Sequence, residues 1–371
     1  MRLQRGREFR VRVENALPEP TAIHWHGLRI ANAMDGAPPL TQAPIIPGGS
    51  FLYRLTAPDA GTFWYHPQHR ASSGLYGIIL VDEDARYDID NDVALIFDAR
   101  PETEGVANGS APPAGPAPAA EIADRVAVNG SSSFEIGVAP RMRLRLRLIN
   151  ASARRMLALR LPDLRSFVIA IDGQPTPVFA PRDGAVTLGP GNRIDLVVLC
   201  DMARGTSTPL VLDGAGGPTP IAHITCASEP AAPGPKTESL AAPTTAAMTD
   251  PAPLPPNPLP AQIDLAGALR LDLAAGRLKS DAGPLFTAKR GRSVAIGLSN
   301  PTSKDAVIHL HGHSFRVLDR LDDGWKPFWL DTIAIPPGGQ SRIAFVADNP
   351  GHWLIEGLAG DGQAEAWFKV S

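Results

Sequence analysis

Short segments in which apolar and polar residues alternate recur along the whole chain. Phe9–Val13, Phe51–Leu55 and Arg141–Leu148 are three of them, and turn-forming glycine, proline and asparagine residues lie between such segments. Alternation with a period of two is typical of a β-strand that turns one face toward a core. Strands at intervals of about 8–12 residues are typical of β-sandwiches and barrels. No convincing amphipathic helical pattern is present, so the chain is predicted to be all-β.

The clearest of these strands is Arg141–Leu148. Its four arginines alternate with Met142, Leu144, Leu146 and Leu148. The alternation predicts one solvated arginine face and one apolar core face. A phosphate-binding role for the arginines is the alternative, and the perfect alternation favours the one-sided sandwich strand.

The length of 371 residues exceeds what one small core requires and predicts several domains. We predict one β domain over residues 1–85, a second over 86–227 and a third over 263–371. Residues 228–262 are rich in proline and alanine and predict an extended linker without a core of its own. Within the second domain, the low-complexity segment Glu104–Ala120 predicts a surface loop.

Composition and charge argue against several functional classes. Charged residues make up 20% of the chain and the net charge is −3, which indicates neither a nucleic-acid footprint nor a basic membrane patch. No apolar run approaches the roughly 18–20 residues that a membrane span needs.

The chain opens without a secretory signal, which predicts a cytoplasmic location as written. A truncated start would leave a periplasmic or secreted location open. Cys200 and Cys226 end two apolar runs, and two buried thiols are favoured over a disulfide.

Seven of the nine histidines fall in three short groups, which are His24 and His26, His66 and His69, and His309, His311 and His313. In the first group, side chains two residues apart on a strand point to the same face. Converging neutral imidazoles are what a copper or zinc ion requires. The outer groups belong to the first and third predicted domains. A metal site shared between these two domains is therefore predicted.

The motifs around these histidines resemble those of the multicopper oxidases. The resemblance rests on Ile23-His-Trp-His-Gly27, Asp35-Gly36, Gly61-Thr-Phe-Trp-Tyr-His66, Gly74-Leu-Tyr-Gly77, His309-Leu-His-Gly-His-Ser-Phe315 and Asn349-Pro-Gly-His-Trp353. It covers essentially the whole chain and implies three consecutive cupredoxin-like Greek-key β-sandwich domains. In such enzymes a type 1 copper accepts electrons from the substrate. A trinuclear cluster of one type 2 and two type 3 coppers, between domains one and three, then reduces oxygen to water.

Matched position by position, the resemblance implies five copper ligands: His24 and His309 for the type 2 copper, and His26, His66 and His311 for the type 3 pair. Asp35 matches the acid that lies near the type 2 site and relays protons in the family. A simple turn-forming Asp-Gly pair is an equally good interpretation of Asp35 from the sequence alone. His313 matches a histidine that does not bind copper.

Several family ligands are replaced in this chain. The second histidine of the middle cluster is Gln68, and the type 1 histidine position is Ala306. The His-Cys-His segment is replaced by residues around Glu356 and Leu358, and no histidine, cysteine or methionine follows His352. A type 1 site needs two imidazoles and a thiolate, so no blue copper is expected. Glu356 is either an oxygen ligand or a surface acid.

Because the trinuclear set loses three imidazoles, we expect one or two copper ions rather than four. The first functional hypothesis is a copper-binding oxidoreductase that uses oxygen as the acceptor and takes electrons from a small molecule or a metal ion. The alternative is a non-catalytic cupredoxin scaffold that binds a protein partner or sequesters copper. A third is a degenerate or truncated product, since the first strand that usually precedes Met1-Arg-Leu3 in the family is missing.

Overall fold

A computed structural model gives the fold of the chain. It describes residues 1–68, 74–84, 87–100, 125–214, 216–227, 248–278, 283–318, 328–360 and 362–371. Within these ranges the chain forms strands, and its helical segments are two short 3₁₀ turns, Asn32–Met34 and Arg182–Gly184. The all-β prediction is confirmed. No helix in these ranges is long and apolar enough to cross a membrane.

The first sandwich carries the first two histidine groups. Its strands are β1 (Arg2–Gln4), β2 (Glu8–Glu14), β3 (Ile23–His26), β4 (Ser50–Thr56), β5 (Gly61–Pro67) and β6 (Gly77–Asp82). One sheet has the order β1-β6-β5-β3, and β2 pairs with β4 in the facing sheet. The core between them contains Trp25, Tyr53 and Phe63. Strands β3 and β5 are antiparallel, and their register sets His24 opposite His66.

The second sandwich is the largest of the three. Its strands are β7 (Asn91–Arg100), β8 (Arg125–Val128), β9 (Glu135–Val138), β10 (Met142–Asn150), β11 (Leu157–Arg160), β12 (Arg165–Ile171), β13 (Gln174–Phe179), β14 (Ala185–Leu188), β15 (Arg193–Cys200), β16 (Ser207–Asp213) and β17 (Thr219–Cys226). They form sheets of order β13-β12-β15-β10-β7-β8 and β14-β11-β16-β17-β9. Cys200 and Cys226 are buried free thiols in the core between the sheets.

The prediction of a solvated arginine face on β10 is wrong for two of its arginines. Arg145 and Arg147 are each only 1% exposed. Both contact the Asp195 carboxylate, and Arg147 also donates to Thr62 of the first sandwich. The outer face of this sheet is covered by the first sandwich, and the guanidinium groups are paired with carboxylates that compensate their burial. The sequence alternation defines two faces but does not show that another domain covers one of them.

The third sandwich carries the last histidine group. Its strands are β18 (Leu269–Ala274), β19 (Thr287–Ala288), β20 (Arg292–Ser299), β21 (Ala306–Leu310), β22 (Arg316–Leu318), β23 (Thr332–Ile335), β24 (Gln340–Ala347), β25 (Gly351–Ala359) and β26 (Gly362–Val370). They form sheets of order β18-β20-β24-β22 and β19-β26-β25-β21-β23. Strand β21 lies between β25 and β23, so His309 faces Glu356 on one side and Thr332 on the other.

The described part of the predicted linker packs between the sandwiches. Asn257 donates to the carbonyl of Ala60 in the first sandwich and to the amide oxygen of Gln174 in the second. Leu254 is buried beside Phe167. Residues 228–247 and the predicted loop Glu104–Ala120 lie outside the described residues. The strands occupy residues 2–82, 91–226 and 269–370, and the domain boundaries at 85, 227 and 262 stay predictions.

Candidate metal centre

Five histidines from the first and third sandwiches meet at one interface. His24 and His26 lie on β3, His66 on β5, His309 on β21, and His311 directly follows β21. Each of the five is at most 3% exposed. The ring of His24 contacts the rings of the other four. The structure thus brings together all five histidines that the resemblance assigns to copper, although up to 287 positions separate them along the chain.

His24 and His309 face each other through their Nε2 atoms, which are 3.2 Å apart. His24 Nδ1 lies 3.0 Å from the carbonyl oxygen of Asp35, and His309 Nδ1 lies 3.0 Å from that of Asp331. A carbonyl oxygen only accepts hydrogen bonds, so each Nδ1 carries the proton that it donates. In the neutral imidazoles, both Nε2 atoms therefore present lone pairs to each other.

His26 and His66 repeat this arrangement. His26 Nδ1 and His66 Nε2 are 3.4 Å apart. His66 Nδ1 donates to the carbonyl oxygen of Pro67 at 2.7 Å, and His26 Nε2 lies 3.1 Å from Thr332 Oγ1. Because Thr332 Oγ1 donates its own proton to Asp331 Oδ1, it accepts from His26. The second pair thus also sets two lone pairs against each other.

These two pairs fit copper. Two facing lone pairs repel unless a proton or a cation lies between them. Separations of 3.2 and 3.4 Å are those of two donors bound to one ion at about 2.0–2.1 Å, and imidazole nitrogen suits copper. The donor atoms of His24, His26 and His309 lie within 4.8 Å of one another. Hydrogen bonds to the opposite ring nitrogens fix the tautomer of each imidazole, as is usual for metal ligands.

Burial keeps two of these imidazoles, His26 and His309, uncharged. Burial lowers the pKa of His26 well below its ordinary value, and the neighbouring His309 lowers it further. For His309 burial lowers the pKa to about 4, with a further lowering from His311. A metal ion binds the neutral form of an imidazole, so both side chains are ready to act as ligands at neutral pH.

Asp35 lies between two of the imidazoles. Its Oδ2 is 2.9 Å from His311 Nδ1, and its Oδ1 is 3.4 Å from His24 Nδ1. Burial by itself would raise the pKa of this carboxyl, but His311 and His24 hold the pKa below its usual range. Asp35 is therefore a buried ionised carboxylate that contacts two candidate ligands.

Gln68 and Glu356 close the side of the centre near His311. Gln68 Nε2 donates to Glu356 Oε1, and Glu356 Oε2 lies 3.6 Å from His311 Nε2. Glu356 is 7% exposed, so the interpretation of this residue as a surface acid is wrong. The sequence could not show that Gln68 from the first sandwich covers it. His69 lies outside the described residues.

Sequence reasoning missed a group of residues that supports the histidines from behind. Arg193, from the second sandwich, makes two hydrogen bonds to the Asp331 carboxylate, at 2.8 and 2.6 Å. Asp172 accepts from the backbone N–H groups of Asp331 and Thr332. Asp331 and Thr332 in turn hold His26 and His309. No local motif marks Arg193, because its role depends on the docking of one sandwich against another.

The positions that the resemblance assigns to type 1 ligands lie in an apolar core. Ala306 is fully buried beside Leu278 and Ile308. Gly357, between Glu356 and Leu358, also lies here, and a Cβ atom at this position would be 2.9 Å from Leu278 Cδ1. The ring of His313 packs against Phe345, Trp353 and Phe368, and its Nδ1 lies 3.1 Å from the carbonyl oxygen of His311.

Comparisons with known proteins agree with the fold and identify the family. Sequence models of the multicopper oxidases match residues 1–86 and 254–357. The multicopper oxidase MmcO of Mycobacterium tuberculosis is 30% identical, over 94% of this chain and 76% of its own. Laccase-1 of Botryotinia fuckeliana is 25% identical, over 94% of this chain and 72% of its own.

Solved structures give the same result. Lac15 from a marine microbial metagenome superposes with a TM-score of 0.81 at 32% identity, over 100% of this chain and 91% of its own. A multicopper oxidase from Pseudomonas thermotolerans gives a TM-score of 0.80 at 28% identity, with the same coverage of both chains. The described residues form an all-β protein with five buried imidazoles at one interface. The chain belongs to the multicopper oxidase family, a family of copper-binding oxidoreductases that use oxygen as the acceptor.

Proposed function

We propose that the chain binds one or two copper ions between its first and third sandwiches and lacks a type 1 copper. His24 and His309 form one pair of ligands, His26 and His66 form the other, and His311 completes the set. The observation that carries the proposal is the pair of facing nitrogens, His24 Nε2 and His309 Nε2, buried and 3.2 Å apart. Copper, when bound, would supply one-electron transfer and a site for oxygen.

The chain's own residues would keep the imidazoles in the tautomers that bind a metal ion. Asp331 and Thr332 keep protons on the outward nitrogens of His309 and His26, which leaves the inward nitrogens free for a metal. Asp35 likewise keeps a proton on Nδ1 of His311. As a buried carboxylate beside two N–H groups, Asp35 is also positioned to accept and pass on protons. We propose this relay role for Asp35.

The apolar surroundings of Ala306 and Gly357 support the absence of a type 1 copper. A thiolate and two imidazoles are required there, and the core offers aliphatic side chains instead. Electrons from a small molecule or a metal ion would then have to reach the interface copper directly. The same observation favours a second candidate function, a scaffold that sequesters copper or binds a protein partner without turnover. The cytoplasmic location of the sequence as written, and the periplasmic or secreted alternative for a truncated start, both stay predictions.

The first experiment is copper stoichiometry together with electron paramagnetic resonance (EPR). The protein would be loaded with copper, desalted and measured. We expect one or two tightly held coppers with a type 2-like signal, and no retained copper would refute the proposal. Oxygen consumption with ascorbate, phenols or ferrous ion as the donor then separates the oxidoreductase from the copper-sequestering scaffold.

A further inference from the structure

We propose that one end of the second sandwich binds a cuprous ion through sulfur, with the side chains of Cys200, Cys226, Met142 and Met202 as the ligands. All four residues belong to the second sandwich, which contributes none of the five histidines of the interface centre. The inference therefore goes beyond the proposed function and does not rest on it.

The two cysteines come from the two facing sheets of this sandwich. Cys200 ends β15 and Cys226 ends β17, and both are fully buried in the core between the sheets. The backbone N–H of Gly205, five positions after Cys200, donates to the carbonyl oxygen of Cys226. Burial raises the pKa of Cys200 to about 12, with a contribution from the neighbouring Cys226 thiol. The two thiols therefore share one end of the core.

Two methionines pack against the same core. Met142, on β10, is the direct cross-strand partner of Cys200, and the side chains of such partners lie on the same face of a sheet. Met202 follows Cys200 in the next loop, and Cys226 Sγ lies 3.8 Å from the Met202 carbonyl oxygen. Both methionine side chains are partly buried against the core that contains the cysteines. Of the two cysteines and six methionines in the chain, four are therefore gathered at this end of one sandwich.

The hydrogen bonds that the two thiols make among the described residues are weak. Cys200 Sγ lies 3.9 Å from the carbonyl oxygen of Val198, and Cys226 Sγ makes the 3.8 Å contact with Met202. A thiol is a weak hydrogen-bond donor, so these contacts hold the sulfur atoms only loosely. A metal ion that binds both sulfur atoms would replace little.

The donor atoms and the apolar core decide which ion fits. Thiolate and thioether sulfur are soft donors that suit Cu⁺. Zinc also binds thiolate, but its usual ligands do not include the thioether of methionine. When Cu⁺ binds, it takes the place of a thiol proton (Cu⁺ + R–SH → Cu–SR + H⁺). The core then gains no net charge, whereas an isolated buried charge would be costly.

The loop over this end of the core provides access from solvent. Asp201 and residues 203–206 are exposed, and Met202 is the partly buried residue between them. A methionine side chain has three rotatable bonds and adapts to its surroundings. Rotation of the Met202 side chain would therefore open a path to the thiols without disturbing a strand.

The test measures Cu⁺ binding by the full-length protein. Reduced, metal-free protein would be loaded with Cu⁺ under nitrogen and titrated with the Cu⁺ chelator bicinchoninate. We expect Cys200→Ala and Cys226→Ala each to hold one equivalent of Cu⁺ less than wild type. The double variant should also lose one equivalent rather than two, because both thiols bind the same ion. The ultraviolet absorption of Cu⁺ bound to thiolate should disappear in the same variants.

The methionines provide variants that preserve the volume of the core. Met142→Leu and Met202→Leu should release this equivalent of Cu⁺ at a lower chelator concentration than wild type. Met156→Leu is the matched control and should behave like wild type. Met156 lies beside Gly189, near the start of β15 rather than its end.

Two further results separate this site from the interface centre. A His24→Ala/His309→Ala variant should keep the equivalent of Cu⁺ that depends on Cys200. Because Cu⁺ has a filled d shell, the ion should add to the copper content but not to the EPR signal or the visible absorption.

Equal Cu⁺ contents in wild type and both cysteine variants would overturn the inference and leave the interface proposal intact. Identical release from all three methionine variants would also overturn it, and displacement of this Cu⁺ by Zn²⁺ would overturn the choice of ion. Cu⁺ that depends on Cys200, in a protein that holds no copper between its first and third sandwiches, would overturn the interface proposal alone.

Discussion

The guanidinium group of Arg193 makes two hydrogen bonds to the carboxylate of Asp331, and both side chains are fully enclosed. Arg193 belongs to the second sandwich, and Asp331 precedes the strand that holds His309 and His26 in place. The pair therefore connects the second sandwich, which contributes no candidate ligand, to the first and third sandwiches, which contribute all of them. A planar, bidentate contact of this kind fixes orientation as well as distance.

Replacement of Arg193 by methionine should be strongly destabilising. It leaves the carboxylates of Asp331 and Asp172 buried without their cation, and breaking a buried ion pair on one side costs about 3–5 kcal/mol. Urea unfolding would measure the loss. Copper retention should also fall, because Asp331 and Thr332 hold His309 and His26.

The control for this variant is Arg160→Met. Arg160 makes a similar two-point contact with Asp213, but on the surface of the second sandwich. Solvent screens that pair, so little change in stability is expected. Equal losses in the two variants would show that burial of the Arg193 pair has no special importance.

Gly27→Ala should damage both the fold and the centre. Gly27 follows the histidine strand with a φ of +84°, and a Cβ atom there would lie 2.7 Å from Asp331 Oδ2 and closer still to the Arg193 guanidinium. Gly130→Ala is a matched control, since its φ is +81° and nothing lies within 4 Å of the added Cβ. The left-handed conformation alone costs about 1–2 kcal/mol.

We therefore expect Gly27→Ala to lose clearly more unfolding free energy than Gly130→Ala, and to lose copper as well. Denaturant unfolding and metal analysis of both variants would show this. If the two losses were the same, the close approach of the Arg193–Asp331 pair to Gly27 would be irrelevant to stability.

Single substitutions His24→Ala and His309→Ala should each abolish tight copper binding by the His24–His309 pair while the fold is retained. Each removes one of two facing donors, and the remaining imidazole cannot hold the ion alone. Equilibrium dialysis with copper would measure affinity, and circular dichroism the fold. His223→Ala, at a partly exposed position on the second sandwich, should bind copper like wild type. Unchanged affinity in both site variants would refute the assignment of these ligands.

Concentrated protein loaded with copper should show no intense blue absorption. That absorption requires a thiolate bound to copper, and both cysteines lie in the core of the second sandwich, away from the histidines. An absorption spectrum after loading with excess copper is sufficient. A strong blue colour would refute the alignment of Ala306 and Gly357 with type 1 positions.

The stability of the metal-free protein should rise with pH between about 4 and the ordinary histidine pKa of about 6.5. Burial lowers the pKa of His309 and of His313 to about 4, so in this range the unfolded chain binds more protons than the folded chain. The stabilisation is complete above the unfolded-state pKa and is lost as the pH falls toward 4. His311 has the opposite effect on stability. Its pKa is raised to about 10 in the folded protein, so the free energy of unfolding decreases as the pH rises above neutrality toward 10.

His313→Gln tests this dependence at a histidine that is not a candidate ligand. The variant should reduce the slope of unfolding free energy against pH by up to about 1.4 kcal/mol per pH unit on the acid side. Urea unfolding at a series of pH values between 4 and 7 gives the slope. An identical slope in wild type and variant would contradict a buried, neutral His313.

The all-β class, the family and the groups of histidines that supply the candidate ligands all follow from the amino-acid sequence. These properties are local: a period of two defines a strand, and spacing along that strand decides that His24 and His26 share a face. Ala306 and the residues around Glu356 are equally visible as departures from the family pattern. Each of these conclusions needs only neighbours within a few residues.

How those groups meet, and what surrounds them, depends on how the three sandwiches pack against one another. His24 faces His309 because the first and third sandwiches dock, and Arg193 reaches Asp331 because the second sandwich docks against both. Docking also buried Arg145 and Arg147, which alternation alone predicted to be solvated, and it enclosed Glu356 against Gln68. Burial by another domain depends on contacts between distant residues, 85 positions apart for Arg147 and Thr62 and 288 for Gln68 and Glu356. No periodicity within a strand predicts such contacts.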